Sequence, residues 1–407
     1  MSATSRPMPL DGVRVLDLGQ FIAMPFCALW LAWLGAEVIV VESRRRMTSR
    51  TAPPFKPGLE GNPDGSGYFN QICAAKKSCT LDMTTAAGRD IVRRLAGKVD
   101  VMVDNFSTGV LEKLGLGYDV IGKLNPGIVM VSCGAFGRSG PMKHARGLHS
   151  AVNLFSGVAD VTGYLDGEPR ILGGVLPDPL SGTYGMFAIM AALHHRNQTG
   201  QGQFIDLAMY EAMMTLIPEA VIDVTLNDAD PKRMGNRDKL KAPYGIYPCR
   251  DADTWIAISV DNDEEWRLLC RASGHAEWLG DPRFASAEGR VTHVGILDAA
   301  VESWTRQIGV NEAVDKLQAA GVPAGPVLRC DQLIDDPQLQ AHGSVITIDH
   351  PTAGPHRQLG LPWQMDSLGV QYNHAPLLGE HTHDILTGLL GIDEAEYQRL
   401  EAGGVLS

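Results

Sequence analysis

The 407 residues carry a formal charge of −12, with 44% hydrophobic and 20% charged residues and a mean hydropathy of −0.04. That length allows two ordinary domains, or one large domain with an insertion. The acidic balance leaves no basic surplus for a general nucleic-acid binder, although a local basic pocket for a small anion remains open.

No run of about 18 apolar residues predicts a membrane span, and the start, "MSATSRPMPLDG", lacks a signal-peptide pattern. Cysteines at 27, 73, 79, 133, 249, 270 and 330 are scattered, odd in number and without a CxxC pair. This argues against a disulfide framework or a structural zinc site and fits a cytoplasmic location.

In chain order, "VRVLDL" (13–18) predicts a strand, "PFCALWLAWLG" (25–35) a helix and "EVIVVE" (37–42) a second strand. An amphipathic helix over "GRDIVRRLAGKV" (88–99) precedes a strand at "DVMVDNF" (100–106). Short helices at 109–115 and 119–126 lead to a strand at "IVMVSCGAFG" (128–137). Near-continuous apolar strands separated by helices indicate a parallel α/β sheet covered on both faces. Residues 145–217 read as mostly helical, with a turn and short strand at "NQTGQGQFIDL". The polar stretch 223–243 reads as a linker. A hairpin, "YGIYPCRDADTWIAISV", two amphipathic helices and a strand in "GVPAGPVLR" then predict a small α+β domain. The tail carries a strand, "SVITIDH", and a last helix, "HDILTGLLG". The expected domains are 1–225, 226–330 and 331–407, the last returning to the large domain.

Several constellations bear on chemistry. Glu42 closes the second strand where a ribose-binding acid would sit, but the first turn, "LGQFIAMP", lacks close-approach glycines for a pyrophosphate. "HTHD" (381–384) has no ligand partners at metal spacing. The basic "SRRR" at 43–46 is a candidate anion contact, or a solvated loop. Asp178 lies between two prolines in "GGVLPDPLSGTYG" and opens an apolar helical run. Asp followed by Pro predicts an N-cap, whose amides would lower the carboxylate pKa and keep it ionised. Flanking prolines would also hold a nucleophile still.

The order and spacing of several segments are more specific than any one of them. They are "PLDGVRVLDL", "LAWLGAEVIVVE", "KKSCTLDM", "VDNFSTGVLEKLGLGYDVIGKLNPGIV", "AFGRSGP", "DPLSGTYGMFAIMAALHHRNQTGQGQFIDLAMYEA", "GVPAGPV" and "APLLGEHT". Together they resemble the class III CoA-transferases of the CaiB/BaiF type, which include carnitine CoA-transferase, formyl-CoA transferase and α-methylacyl-CoA racemase. The resemblance implies a Rossmann-like large domain from the N- and C-terminal parts, an inserted small α+β domain and a dimer of interlocked rings. It places Asp178 on the catalytic aspartate. Positions matching CoA contacts are Phe21, Ile22, Ser43, Leu81, Asn105, Phe106, Val110, Lys113 and Arg146. Lys113 and Arg146 are the phosphate-binding candidates, with Arg44–Arg46 as aids. Tyr68 and His149 fall near the acyl pocket, with Gly173 and Gly174 as oxyanion donors or, equally, a plain turn.

The implied partners are an acyl-CoA, a small carboxylic acid and a second copy of the chain. No metal and no cofactor beyond coenzyme A is expected. Ile22 and the lack of a glycine-rich lid in the small domain depart from formyl-CoA transferase. His149 lies one residue from the racemase base position, so a racemase using His149 and Asp178 is the alternative.

Overall fold

The computed structural model describes residues 6–407. Six parallel strands form one sheet: β1 (Arg14–Asp17), β2 (Glu37–Glu42), β3 (Lys77–Thr80), β4 (Val101–Asp104), β5 (Val129–Gly134) and β6 (Gln203–Ala208). Their spatial order is β3-β2-β1-β4-β5-β6, so the order reverses between β1 and β4. In a doubly wound sheet this switch point opens a crevice at the carboxyl ends of the strands.

Alternate residues of the strands feed two cores. Val15, Val38, Val101, Val103, Val129 and Val131 face the helices Ala23–Trp33 and Pro177–Thr199. Leu16, Ile39, Val41, Met102 and Met130 face the helix Ala86–Ala96 and the C-terminal Leu386, Val405 and Leu406. Both faces are covered, as the apolar strands predict.

β3 is the strand that the sequence pattern does not reveal. Its four residues, KSCT, are short and open on lysine. As an edge strand it is covered by residues 381–382: Ser78 N–H donates to His381 Nδ1 (3.3 Å) and Thr80 N–H to Thr382 Oγ1 (2.9 Å). "HTHD" therefore blunts a sheet edge.

The chain divides into two compact units, one comprising the chain up to Ala159, Ile171–Asp228 and Pro337–Ser407, the other Asp160–Arg170 and Ala229–Asp336. The second holds an antiparallel sheet of β7 (Tyr244–Pro248), β8 (Trp255–Ser259) and β9 (Ala324–Pro326). Its core gathers Tyr247, Ile256, Trp266, Leu297 and Leu317.

Other elements differ from expectation. The stretch read as a linker begins inside the helix Pro218–Asn227. The strand β10 (Val345–His350) gains a hairpin partner, β11 (Gly354–Leu359). The expected last helix is a turn at Thr382–Asp384 continued by π-helical Ile385–Leu389, and a further helix spans Glu394–Ala402.

Candidate active site

A cavity of about 1750 Å³ opens over the carboxyl ends of β1 to β5 in the first unit. Beneath it, Lys76 Nζ donates to Asp17 Oδ2 (2.8 Å) and to the Pro25 carbonyl (2.7 Å), both side chains being wholly buried. The other oxygen of Asp17 accepts the Gly19 amide at 2.8 Å. A Cβ on Gly19 would lie 2.6 Å from Pro25 Cδ, so only glycine fits there. The next turn is clamped across the switch point. Gln20 N–H donates to Asn105 Oδ1, and Asn105 Nδ2 donates to the Gln20 carbonyl, each at 2.7 Å. Phe21 is held at φ +59, a strained value for an aromatic residue, with its amide donating to Ser49 Oγ.

Asn105→Ala removes both clamping bonds. We expect the first turn to loosen, with a stability loss of roughly 1.4 kcal/mol. Urea unfolding of the variant and the wild type checks this.

Asp178 is not the N-cap. The helix begins at Pro177, Leu176 occupies the cap with no side-chain bond, and Asp178 is the second helical residue. Pro177 suits the first position because its fixed φ is helical and its missing N–H would be unpaired there anyway. Asp178 Oδ2 is buried without a hydrogen bond, and His149 Nδ1 lies 3.9 Å from it. Burial raises the Asp178 pKa, opposed by the His149 charge and by backbone bonds from Ala23 and its own amide. Desolvation therefore outweighs the helix start, contrary to the sequence expectation of a lowered pKa. The Ala23 bond is possible because the two helices touch closely: a Cβ on Gly182 would sit 2.7 Å from the Ala23 carbonyl oxygen. The phenol pKa of Tyr68 is also raised, first by burial and then by the Asp178 charge.

Five cations line the cavity (Arg45, Arg46, Arg50, Lys143, Arg146) against three acids (Glu42, Asp82, Asp178). Two of the acids are occupied. Buried Arg50 grips Glu42 through two bonds, 2.6 and 2.9 Å, and Arg45 meets Asp82 at 3.0 Å. Glu42 is thus unavailable to a ribose. The side chains of Arg46, Lys143 and Arg146 find no partner among the described residues. A chain of net charge −12 therefore presents a locally cationic cavity, suited to an anionic ligand.

Of the residues singled out in the sequence, Phe21, Ile22, Ser43, Tyr68, Leu81, Asn105, Phe106, Val110, Arg146, His149 and Asp178 line this cavity. Lys113, Gly173 and Gly174 do not. Lys113 is exposed on the short helix Val110–Lys113, whose Val110 does reach the wall. Gly173 and Gly174 are exposed, and an added Cβ at either meets nothing within 4 Å. Arg44 instead donates to the Leu378 carbonyl at 3.3 Å. Ser43 Oγ donates to the Ser407 carbonyl.

Sequence reasoning passed over Asp17, Lys76, Arg50 and Arg138. Arg138 Nη2 donates to Asp104 (2.8 Å) and to the Phe106 carbonyl (3.3 Å). Burial pushes Asp104 up to about 6 against Arg138 and Ser132, and the Phe106 amide donates to it. The available signal was a charged residue closing an otherwise apolar strand, as in "VRVLD" and "VMVD", since such an acid needs a buried partner.

Residues 10–382 match the model of CoA-transferase family III. The chain is 34% identical over 412 residues, 100% of both proteins, to succinyl-CoA–D-citramalate CoA-transferase of Chloroflexus aurantiacus. It is 30% identical to succinate–glutarate CoA-transferase of Agrobacterium fabrum, over 96% of this chain and 98% of that one. Formyl-CoA:oxalate CoA-transferase of Rhodopseudomonas palustris is also 30% identical, over 98% of this chain and 97% of the relative. A solved CAIB/BAIF family protein from Brucella suis superposes with a TM-score of 0.86 at 32% identity, covering 94% of this chain and 100% of that one. A Mycobacterium tuberculosis structure gives 0.80 at 29% identity, over 93% and 99%.

Proposed function

The chain belongs to CoA-transferase family III, and from that membership we propose that Asp178 carries the acyl group and then the CoA during transfer to a carboxylate. That the enzyme is a CoA-transferase rests on curated relatives of 30–34% identity along the whole chain. The observation supporting Asp178 is its isolation: it is the cavity acid that no arginine or lysine neutralises, with one oxygen buried and unbonded.

In the proposed sequence the Asp178 carboxylate attacks the thioester carbonyl, the C–S bond breaks with its electron pair leaving on sulfur, and a mixed anhydride and free CoA form. The CoA sulfur then attacks the Asp178 acyl carbon, releasing the donor acid and leaving an aspartyl-CoA thioester. The acceptor carboxylate runs the same steps in reverse. Each intermediate retains the energy of the thioester. Water must be excluded, which suits the burial of Asp178. Coenzyme A is itself the substrate, and the steps call for no other cofactor and no metal.

For CoA, the proposed contacts are Phe21, Ile22, Ser43, Leu81, Asn105, Phe106, Val110 and Arg146, with Lys113 at a phosphate outside the cavity wall. Tyr68 and His149 adjoin the acyl group, and Gly173 and Gly174 offer amides from the neighbouring turn. A dicarboxylate acceptor fits Lys143, an unpaired cavity cation not assigned to CoA. The names of the Chloroflexus and Agrobacterium relatives point the same way, whereas Ile22 weighs against formyl-CoA and oxalate. The working form we propose is the interlocked dimer, in the cytoplasm, with 226–330 as the inserted domain. Exposed Leu148, Leu154, Phe155, Phe187, Ile222 and Leu226 supply an apolar surface that a second copy would cover.

Racemisation through His149 and Asp178 is the second reading. Two bases flanking an α-carbon each need roughly 3 Å to it; the 3.9 Å between His149 Nδ1 and Asp178 Oδ2 is shorter than that span and supports the transferase reading over this one. The decisive test is trapping: succinyl-CoA followed by hydroxylamine is expected to leave a hydroxamate on Asp178, read by mass spectrometry. Exchange of an acyl-CoA α-proton with D₂O and no adduct would instead support the racemase. A screen of succinate, glutarate, D-citramalate and oxalate as acceptors is expected to place oxalate last.

A further inference from the structure

We propose that His149 is the proton-transfer partner of Asp178, giving a proton to sulfur when the thioester is cleaved and taking it back when sulfur attacks. The proposal rests on the covalent reading of Asp178 given above.

Three observations support it. His149 Nδ1 stands 3.9 Å from Asp178 Oδ2, too far for a hydrogen bond yet close enough for a charge pair. That oxygen has no other partner, so the position beside it is open toward the imidazole. Moreover, His149 is the only residue among those described that forms an ion pair with Asp178. The other titratable groups acting on or answering to this carboxylate are Tyr68 from the helix Gly67–Ile72 and Cys133 from β5, and burial keeps both protonated. Neither can carry a positive charge. His144, Lys143 and Arg146, on the segment leading to His149, also line the cavity.

The charge balance of the reaction gives His149 its task. Before attack, the negative charge is on Asp178 and the imidazolium faces it. When the Asp178 oxygen bonds to the acyl carbon and the C–S bond breaks, Asp178 becomes neutral and the electron pair leaves on sulfur. The Nδ1 proton passes to sulfur, giving the CoA thiol and a neutral imidazole. The imidazole takes the proton back as sulfur attacks the Asp178 carbonyl and the donor acid departs as carboxylate. No proton is gained or lost over the half-reaction, and neither charge is left bare in a low-dielectric cavity.

The test compares wild-type enzyme with His149→Gln and His149→Lys, using succinyl-CoA as donor and glutarate as acceptor across pH 5–9. Activity requires an ionised Asp178, so the acid limb of kcat/KM follows its protonation. Losing the facing charge raises that pKa further, so the acid limb of His149→Gln moves to higher pH. Its kcat falls roughly 100-fold. His149→Lys restores part of the rate. An unchanged acid limb with a rate within twofold in His149→Gln overturns the proposal. Hydroxylamine trapping separates the two failures. An Asp178 adduct in both wild type and His149→Gln, with identical pH profiles, sinks only the role of His149. No adduct in wild-type enzyme overturns the covalent reading and this inference together.

Discussion

Asp178→Asn is expected to abolish CoA transfer and at the same time raise the melting temperature. The activity loss, about 10⁴-fold or more, follows from the proposed covalent role, because an amide cannot attack a thioester or carry an anhydride. The stability gain follows from burial. The folded-state pKa of Asp178 is raised, first by desolvation, so the ionised form is less at home in the folded protein than in the unfolded chain. At pH 7.5 that costs roughly 1 kcal/mol for a buried, incompletely bonded polar group. The asparagine removes the charge and the cost. The advantage of the variant is present above the folded-state pKa and vanishes as pH falls below the unfolded carboxylate value, where wild-type Asp178 is neutral too. Thermal melts of both proteins at pH 7.5 and near pH 4 read this directly. A lower melting temperature for Asp178→Asn at pH 7.5 would show that the carboxylate is a structural group rather than a strained functional one.

The second large effect lies beneath the cavity. Lys76→Met leaves Asp17 as a buried charge with only the Gly19 amide beside it. We expect a loss of about 3–5 kcal/mol, the usual result of removing one partner from a buried pair. The double variant Asp17→Asn/Lys76→Met removes both charges and should recover at least half of that loss. Urea unfolding followed by far-UV circular dichroism gives both figures. Equal stability for the single and double variants would mean that the pair contributes nothing through its charges. Donor binding is a second readout, since the pair fixes both Gly19 and the Pro25 carbonyl on either side of the first turn.

The large sheet was legible because its strands are buried on both faces and read as apolar runs; β2 was found to the residue. β3 was not, since four residues opening on lysine carry neither alternation nor an apolar run, and its pairing comes from β2 and from residues 381–382. A helix start beside Asp178 was legible from the flanking prolines, but the register of Asp178 in that helix was wrong by two positions. Pro177 competes for the helix start and wins. The direction of the Asp178 pKa was misjudged for a related reason. Local sequence displays the helix amides, whereas the burial that outweighs them comes from residues far away in the chain. The same holds for Asp17 with Lys76 and for Glu42 with Arg50, pairs that only folding brings together. Lys113, a cation at a plausible spacing, ended up outside the cavity wall because a single exposed helical turn points its side chain elsewhere than Val110.

The contact at Gly182 has an evolutionary consequence. The helix after the first turn lends its Ala23 amide to the carboxylate of the other helix, and Gly182 leaves no slack between the two backbones. Any substitution that shifts the first turn to suit a different ligand also shifts Asp178. Drift in that half of the cavity is therefore constrained by the chemistry. The segment carrying Lys143, His144 and Arg146 lines the same cavity yet is largely solvent-exposed. Descendants of this protein that acquire new acceptors are expected to differ there first, while the paired helices stay as they are.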